Sequence, residues 1–148
     1  MRRIVCFFVA CLLLLGVFPY SVQAESEAAI DTKYLSDGGY IITELVNPGT
    51  RDASQTKVKT YYNSNDVAEW KIILTGTFRY NGTVATCTGA SCDVEIYDNS
   101  WYLISKSASF ELATASCEAT LGRKALGVTV ETPTYELSLT CIRYGVYI

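Results

Sequence analysis

The chain has 148 residues, a net charge of −3 at pH 7, 11 tyrosines, six cysteines and no histidine. Nucleic-acid-binding proteins and proteins of anionic membranes need positive patches, so an acidic chain without basic clusters is excluded from both classes. The lack of histidine excludes the Ser-His and Cys-His arrangements of nucleophilic catalysis.

The N-terminal residues have the pattern of a secretory signal peptide. Arg2 and Arg3 precede an apolar run from Ile4 to Phe18, and Val22-Gln23-Ala24 has small residues where signal peptidase cleaves. The run is shorter than the ~20 apolar residues of a membrane span. We predict cleavage of residues 1–24 and a secreted, soluble product without a membrane segment; an uncleaved signal anchor is the alternative.

The next residues lead into a single predicted domain. Residues 25–39 are small, polar and acidic, which predicts a flexible lead-in before a domain that spans residues 40–148. Tyr40–Val46 is apolar and β-branched, and Lys57–Tyr62 alternates between two faces. Both segments are predicted to be strands.

The clearest strand signal lies in the middle of the chain. Apolar residues and one glycine recur there at every second position: Trp70, Ile72, Leu74, Gly76, Phe78 and Tyr80. Asn81-Gly82 then predicts a two-residue type I′ hairpin turn. That turn would place Gly76 opposite Cys87, so that the glycine makes room for a core-facing cysteine.

Three later segments alternate in the same way. They are Cys92–Ile96, Ala113–Leu121 and Tyr135–Cys141, with a hairpin connection predicted at Gly122–Leu126. No segment has a convincing helical period, and the pattern indicates about seven or eight short strands. We therefore predict an all-β fold, an antiparallel β-sandwich of immunoglobulin-like general architecture that disulfides staple together.

Four cysteines remain after the signal segment: Cys87, Cys92, Cys117 and Cys141. Their spacing lacks the C-x2-C pairs of metal and redox sites, and an even count in a secreted chain predicts two disulfides. A Cys87–Cys92 bond would only span a tight turn, whereas a Cys87–Cys141 bond could contribute ~4 kcal/mol. Spacing alone leaves the pairing open, and we favour Cys87–Cys141 with Cys92–Cys117. No metal or other cofactor is predicted.

Two patterns could indicate catalysis. Ser54-Gln55-Thr56-Lys57 matches the S-x-x-K motif, but that motif works on a helix and a polar loop is the favoured prediction. Asp93 and Glu95 lie two positions apart on one face of a strand, with Asp98 close behind, as a glycoside hydrolase or a calcium site would need. Alternating acids on a solvated strand are common in acidic proteins, so we predict that the protein is not an enzyme.

Aromatic residues suggest a binding surface. Trp101, Tyr97 and Tyr102 lie in a polar-aromatic stretch that predicts a turn, and their rings could stack on a sugar or on a protein partner. The favoured alternative for Trp101 is that it packs into the end of the sandwich.

Several short segments resemble a family of small secreted proteins of anaerobic Firmicutes: Trp70–Gly82, Thr86-Cys87-Thr88, Ser105–Ser109 and Leu139-Thr140-Cys141. The resemblance extends over most of the chain from about Tyr34. It implies a bacterial, secreted protein in which Cys87 pairs with Cys141 and Cys92–Cys117 is an additional bridge. The family has no established activity, so no catalytic residue is implied. Residues 142–148 depart from it, because they are apolar and aromatic where the family has a small polar tail.

Three functions are consistent with these features. The first is a secreted binding module for the cell envelope, a polysaccharide or a host surface, with a cell-wall or host glycan or a protein as its partner. The second is a secreted bacteriocin-like toxin or an inhibitor. The third is a small hydrolase that uses the carboxylate of Asp93, Glu95 or Asp98.

Overall fold

A computed structural model describes residues 30–46 and 54–141, which form nine strands in two antiparallel sheets. The strands are β1 Ile30–Tyr34, β2 Tyr40–Val46, β3 Ser54–Tyr62, β4 Ala68–Tyr80, β5 Ala85–Ile96, β6 Trp101–Glu111, β7 Thr114–Ala125, β8 Val128–Glu131 and β9 Thr134–Thr140. Sheet A has the order β1-β2-β3-β4-β5. Sheet B has the order β6-β7-β8, with β9 also paired to β7. The predicted all-β sandwich is confirmed, with nine strands in place of seven or eight.

The longest strand of sheet A is β4, which has 13 residues and pairs with β3 and β5. Its predicted core stripe is confirmed, since Trp70, Ile72, Leu74 and Phe78 are at most 1% exposed. Gly76 makes room for the facing sheet and not, as predicted, for Cys87. A Cβ at this position would lie 2.8 Å from the Cβ of Ala115 on the facing sheet, so the missing side chain lets the two sheets approach closely.

The hairpin between β4 and β5 differs from the predicted two-residue turn. Its loop has four residues, and the Asn81 Oδ1 atom accepts hydrogen bonds from the backbone N–H groups of Thr83 and Val84 at 3.0 and 2.8 Å. This side chain stabilises the longer loop. Phe78 rather than Gly76 therefore lies opposite Cys87, so the predicted register was wrong. Because the shift is even, the core-facing orientation of Cys87 is retained.

A β-bulge explains how two cysteines five positions apart can both face the core. In a regular strand, an odd spacing would place Cys87 and Cys92 on opposite faces. The register between β5 and β4 shifts at Thr88, which lies opposite no residue of β4 and is the extra residue of the bulge. The strand β5 continues through this position, where a tight turn was predicted. The Cys92–Cys117 disulfide then joins β5 of sheet A to β7 of sheet B, which confirms one of the two predicted bonds.

The inner face of sheet B is small and apolar. Ala115, Ala119 and Leu121 of β7 are fully buried, as their alternation predicts. The connection predicted at Gly122–Leu126 was wrong, because β7 continues to Ala125 and the chain reverses afterwards at Leu126-Gly127. Both turn residues have positive φ, of 51° and 80°.

Two lysines of sheet A cover the outer edge of sheet B. The Nζ atoms of Lys57 and Lys59 on β3 donate to the backbone carbonyls of Ser138 and Glu136 at 3.1 and 2.7 Å. Burial lowers the pKa of both lysines. These bonds satisfy acceptors that the edge strand β9 would otherwise present to solvent.

The predicted lead-in at residues 25–39 requires correction, because Ile30–Tyr34 forms β1 and pairs with β2. The predicted signal peptide at residues 1–24 and the apolar tail at residues 142–148 lie outside the described residues. Within the described ranges, no helix has the length and apolar character needed to cross a membrane.

Candidate binding surface

The structure assigns Trp101 to the core rather than to a ligand surface. Its side chain is 5% exposed, and its ring packs edge-on against Tyr61 and Trp70 at centroid distances of 5.8 and 6.0 Å. The ligand-stacking role proposed for Trp101 is therefore corrected, because neither face of its ring is open to solvent. The alternative prediction, that it packs into the sandwich, matches its position.

Trp101 is fixed by a buried carboxylate that the sequence did not reveal. Its Nε1 atom donates to Glu69 Oε2 at 2.6 Å, and Asn63 Nδ2 donates to the other oxygen at 3.0 Å. The backbone carbonyl of Glu69 also accepts hydrogen bonds from the N–H groups of Tyr97 and Asp98. Glu69 thus holds the turn between β5 and β6 and determines where Tyr97 leaves the sheet.

Tyr102, the second predicted stacking residue, packs at one end of sheet B. Its ring lies over Gly122, where a Cβ would come within 2.2 Å of the ring. Its hydroxyl is 2.8 Å from Thr129 Oγ1, and Lys124 Nζ lies 4.8 Å from its ring centroid. These contacts occupy both the ring and the hydroxyl, so Tyr102 serves local packing.

Tyr97, the third predicted residue, is accessible. It is 50% exposed, its hydroxyl donates to the Glu95 carboxylate, and Lys71 Nζ lies 5.8 Å from its ring centroid. The hydrogen bond to Glu95 raises the pKa of Tyr97, and the hydrogen bond with Tyr97 raises the pKa of Lys71. These groups form a polar-aromatic cluster on the solvent side of sheet A.

Three further tyrosines extend this cluster across the sheet. Tyr34, Tyr40 and Tyr62 occupy directly paired positions on β1, β2 and β3. Ring centroids are 5.9 Å apart for Tyr34 and Tyr40, and 5.1 Å apart for Tyr40 and Tyr62, whose rings are nearly parallel at 12°. We call these three residues, together with Lys71 and Tyr97, the tyrosine band.

The rings of the band stand side by side on the sheet. Tyr40 and Tyr62 are partly buried against each other, whereas Tyr34 at the sheet edge is 78% exposed. Desolvation raises the pKa of Tyr40, and its hydrogen bond with Asp66 adds to this effect. The surface of the band therefore combines aromatic carbon with phenolic hydroxyls and the flanking charges of Lys71 and Glu95.

The predicted catalytic carboxylates have other partners. Asp93 Oδ1 lies 2.9 Å from Lys106 Nζ, and Glu95 Oε2 lies 3.8 Å from Lys71 Nζ. Asp98 accepts a hydrogen bond from the backbone N–H of Ser100 at 2.7 Å, and its contacts with Ser100 lower its pKa. Each of the three carboxylates therefore has a partner of its own: a lysine for Asp93 and for Glu95, and the turn residue Ser100 for Asp98.

The S-x-x-K residues cannot meet. Ser54 and Lys57 both belong to β3, so the predicted polar loop is a strand here. Residues three apart on a strand point to opposite faces. Ser54 Oγ contacts Thr77 Oγ1 at 3.3 Å, while Lys57 reaches β9. Among the described residues, no three metal-ligating side chains gather in a group that could hold an ion.

The pairing predicted for Cys87 and Cys141 stays a prediction. The structure holds both as buried thiols in the same core. The backbone N–H of Cys87 donates to the carbonyl of Leu112 at 2.7 Å, and that of Cys141 donates to the carbonyl of the next residue, Ala113, at 2.9 Å. Both cysteines thus lie beside the turn between β6 and β7.

Comparison with known proteins gives no relative: no protein-family model, no curated protein and no solved structure matches this chain.

Proposed function

We propose that the protein is an extracellular binding module that holds a polysaccharide chain along the tyrosine band. The observation that carries the proposal is the alignment of four tyrosines and Lys71 on the outer face of sheet A, from β1 to the end of β5. Neighbouring strands lie ~4.8 Å apart, so a band across five strands is ~19 Å long. A linear surface of this kind fits an extended polymer.

The chemistry of the band supports a sugar ligand. Aromatic rings contact the C–H faces of sugars, and tyrosine adds a hydroxyl at the ring edge. Tyr34 and Tyr97 offer the most exposed rings, and Lys71 and Glu95 provide a donor and an acceptor between them. Solvated protein surfaces seldom concentrate large aromatic side chains without a partner.

The proposed location outside the cytoplasm has two supports. A Cys92–Cys117 disulfide is typical of oxidising compartments. The N-terminal sequence also predicts a signal peptide. The resemblance to small secreted bacterial proteins points in the same direction and favours the producer's own cell wall as the first ligand to try.

The test is a binding isotherm on insoluble polysaccharides. The protein, expressed as the full 148-residue chain and purified after processing by its host, is mixed with isolated Gram-positive cell walls and with a panel of pure polysaccharides. We expect saturable depletion from solution, weakened about tenfold by Tyr34→Ala or Tyr97→Ala. Phe110→Ala is the matched control, because Phe110 is a 52% exposed aromatic residue on sheet B.

Equal binding by the wild type and both tyrosine variants would contradict the proposed site. Failure of the folded protein to bind any wall or polysaccharide would contradict the proposed ligand class. A protein that instead inhibits bacterial growth or a protease would support the toxin or inhibitor prediction. Turnover of a glycan that is lost on Asp93→Asn or Glu95→Gln would support the hydrolase prediction.

A further inference from the structure

The outer edge of β1 is open. Among the described elements, β1 contacts β2 alone, and Asp31, Thr32, Lys33 and Tyr34 are all exposed. The edges of β9, β5 and β6 are covered, whereas β8, like β1, contacts a single strand among the described elements. Lysines from β3 cap β9, and β5 and β6 lie against each other with a hydrogen bond from Cys87 N–H to the Leu112 carbonyl. An uncovered edge strand is a ready template for pairing with another chain.

The sequence of β1 is complementary to itself. Its five residues are Ile30-Asp31-Thr32-Lys33-Tyr34, with opposite charges on the two sides of the central Thr32. In an antiparallel pair of identical strands centred on Thr32, each Asp31 would lie opposite the Lys33 of the other strand. Residues directly opposite each other share a face and lie close enough for the charges to attract.

We infer that β1 pairs with β1 of a second copy of this chain, antiparallel and centred on Thr32. The result is a two-fold dimer in which each copy presents the same edge to the other. It joins two five-stranded sheets into one continuous sheet. The pairing places Ile30 of one copy opposite Tyr34 of the other.

The charges favour a second copy over an unrelated strand. Asp31 and Lys33 occupy inner-face positions, because their partners on β2 are Thr43 and the core residue Ile41. Charges at such positions normally discourage edge pairing. An antiparallel copy places a residue of opposite charge across from each of these two residues. A strand with a different sequence of charges would leave Asp31 and Lys33 without oppositely charged partners.

The charged residues around the edge of β1 also favour pairing with a second copy. Lys33 lies near Lys59, so two positive charges are close together beside this edge. Asp31 of the partner copy would bring a negative charge to Lys33. Asp31 already lies within electrostatic reach of Lys57 and Lys59. The dimer therefore places opposite charges side by side across the whole edge.

The interface is small. Five residues on each side bury far less than the ~1,600 Å² of a standard interface, so the dimer is weak and depends on concentration. It also brings two tyrosine bands onto one face of one sheet. If the proposed function holds, a polymer that contacts both bands would bind more tightly than one band allows.

The test uses sedimentation velocity without any ligand, so it does not depend on the proposed function. The protein is measured from ~10 μM to ~1 mM, the range expected for an interface of less than standard size. Asp31→Lys and Lys33→Asp each place like charges opposite each other in the homodimer, and each should weaken association about tenfold or more. A mixture of the two variants restores opposite charges across the interface and should associate like the wild type.

Glu118→Lys is the control, because it makes the same charge change as Asp31→Lys at an exposed position of sheet B. It should leave association unchanged. A protein that stays monomeric over the whole concentration range would overturn the inference. So would association that survives both single reversals, or a mixture of the reversed variants that fails to associate.

Discussion

The outer faces of the two sheets cover the same core but have different surfaces. The face of sheet A carries the tyrosine band together with aliphatic residues such as Ile42 and Ile73. On sheet B, the outward positions of β6, β7 and β9 form four cross-strand rows made of serine, threonine and glutamate alone: Ser105, Thr120 and Thr134; Ser107, Glu118 and Glu136; Ser109, Ser116 and Ser138; Glu111, Thr114 and Thr140.

The difference shows what a solvated sheet face needs for stability. Sheet B meets that need with short polar side chains, two pairs of which are linked by threonine hydroxyls 2.9 Å apart. Along these four rows, folding therefore places no demand for large aromatic residues on the outer face. The exposed rings of Tyr34 and Tyr97 exceed this requirement, which is why we propose that sheet A carries the binding surface.

The largest expected effect concerns the core that both faces share. If Cys87 and Cys141 form a second disulfide, the protein without residues 1–24, which contain Cys6 and Cys11, has no reactive thiol after unfolding in denaturant without reductant. Chain entropy assigns that bond about 4 kcal/mol, and the Cys92–Cys117 bond, with its sequence separation of 25, about 3.5 kcal/mol. Thiol titration of the unfolded wild type counts its free thiols. Urea unfolding of the Cys87→Ala/Cys141→Ala variant, compared with the wild type, measures the stability that the second bond contributes. Two titratable thiols in the oxidised wild type would contradict the pairing.

A smaller loss is expected at the support of the tyrosine band. Glu69→Ala removes the acceptor for Trp101 Nε1 and Asn63 Nδ2, and buried donors without acceptors cost about 1–3 kcal/mol. Urea unfolding should show this loss, and Glu69→Gln should cost less because it keeps one oxygen. Glu118→Ala on sheet B is the control and should stay within about 0.5 kcal/mol of the wild type. Equal stability of all three variants would show that the buried carboxylate has no structural role.

Alkaline pH separates the tyrosines inside the sandwich from those on its surface. Burial raises the pKa of Tyr61 and Tyr135 to about 12. A pKa raised by folding contributes stability that is complete below the unfolded value of ~10 and is lost as pH rises through the folded value. The free energy of unfolding should therefore fall between pH 10 and pH 12 because of these two groups.

The comparison of wild type with Tyr61→Phe isolates this effect. Lys57 and Lys59 have lowered pKa values and the opposite slope, but they are the same in both proteins. Urea midpoints across this pH range should decrease less in the variant. Parallel pH profiles would contradict the assignment of the raised pKa to Tyr61.

The smallest effect on stability is expected for the band itself. Tyr34→Ala removes a side chain that is 78% exposed, so the free energy of unfolding should change by less than about 0.5 kcal/mol. Thermal or urea unfolding checks this value. A loss of about 2 kcal/mol or more would indicate that Tyr34 serves packing and would remove the main distinction between the two outer faces.

The alternation of apolar residues predicted the sandwich because most strands bury one face. Tyr40–Val46 matches β2 at both ends, and the stripe from Trp70 to Phe78 follows β4. β6 gave no comparable signal, because its residues from Leu103 to Glu111 are all exposed and no apolar period is required. Hairpin register also escaped prediction, since the Asn81 side chain supports a loop two residues longer than its Asn-Gly sequence suggested.

The candidate site depended on strand pairing, which the sequence did not supply. Tyr34, Tyr40 and Tyr62 have no regular spacing along the chain, and only the pairing of β1, β2 and β3 brings them into one row. Tyr97 could be identified as a surface aromatic residue from its polar neighbours. Trp101 has similar polar neighbours, so the sequence could not exclude it from the binding surface. Nothing near it in the sequence indicates that its ring nitrogen donates to the buried carboxylate of Glu69.

The most direct test of the account is hydroxyl-radical footprinting of the protein with and without isolated Gram-positive cell walls. The account predicts that walls protect Tyr34 and Tyr97 from oxidation and leave Phe110 and Leu112 of the sheet B side as reactive as in the free protein. Protection of Phe110 and Leu112 without protection of the two tyrosines would contradict the assignment of binding to sheet A.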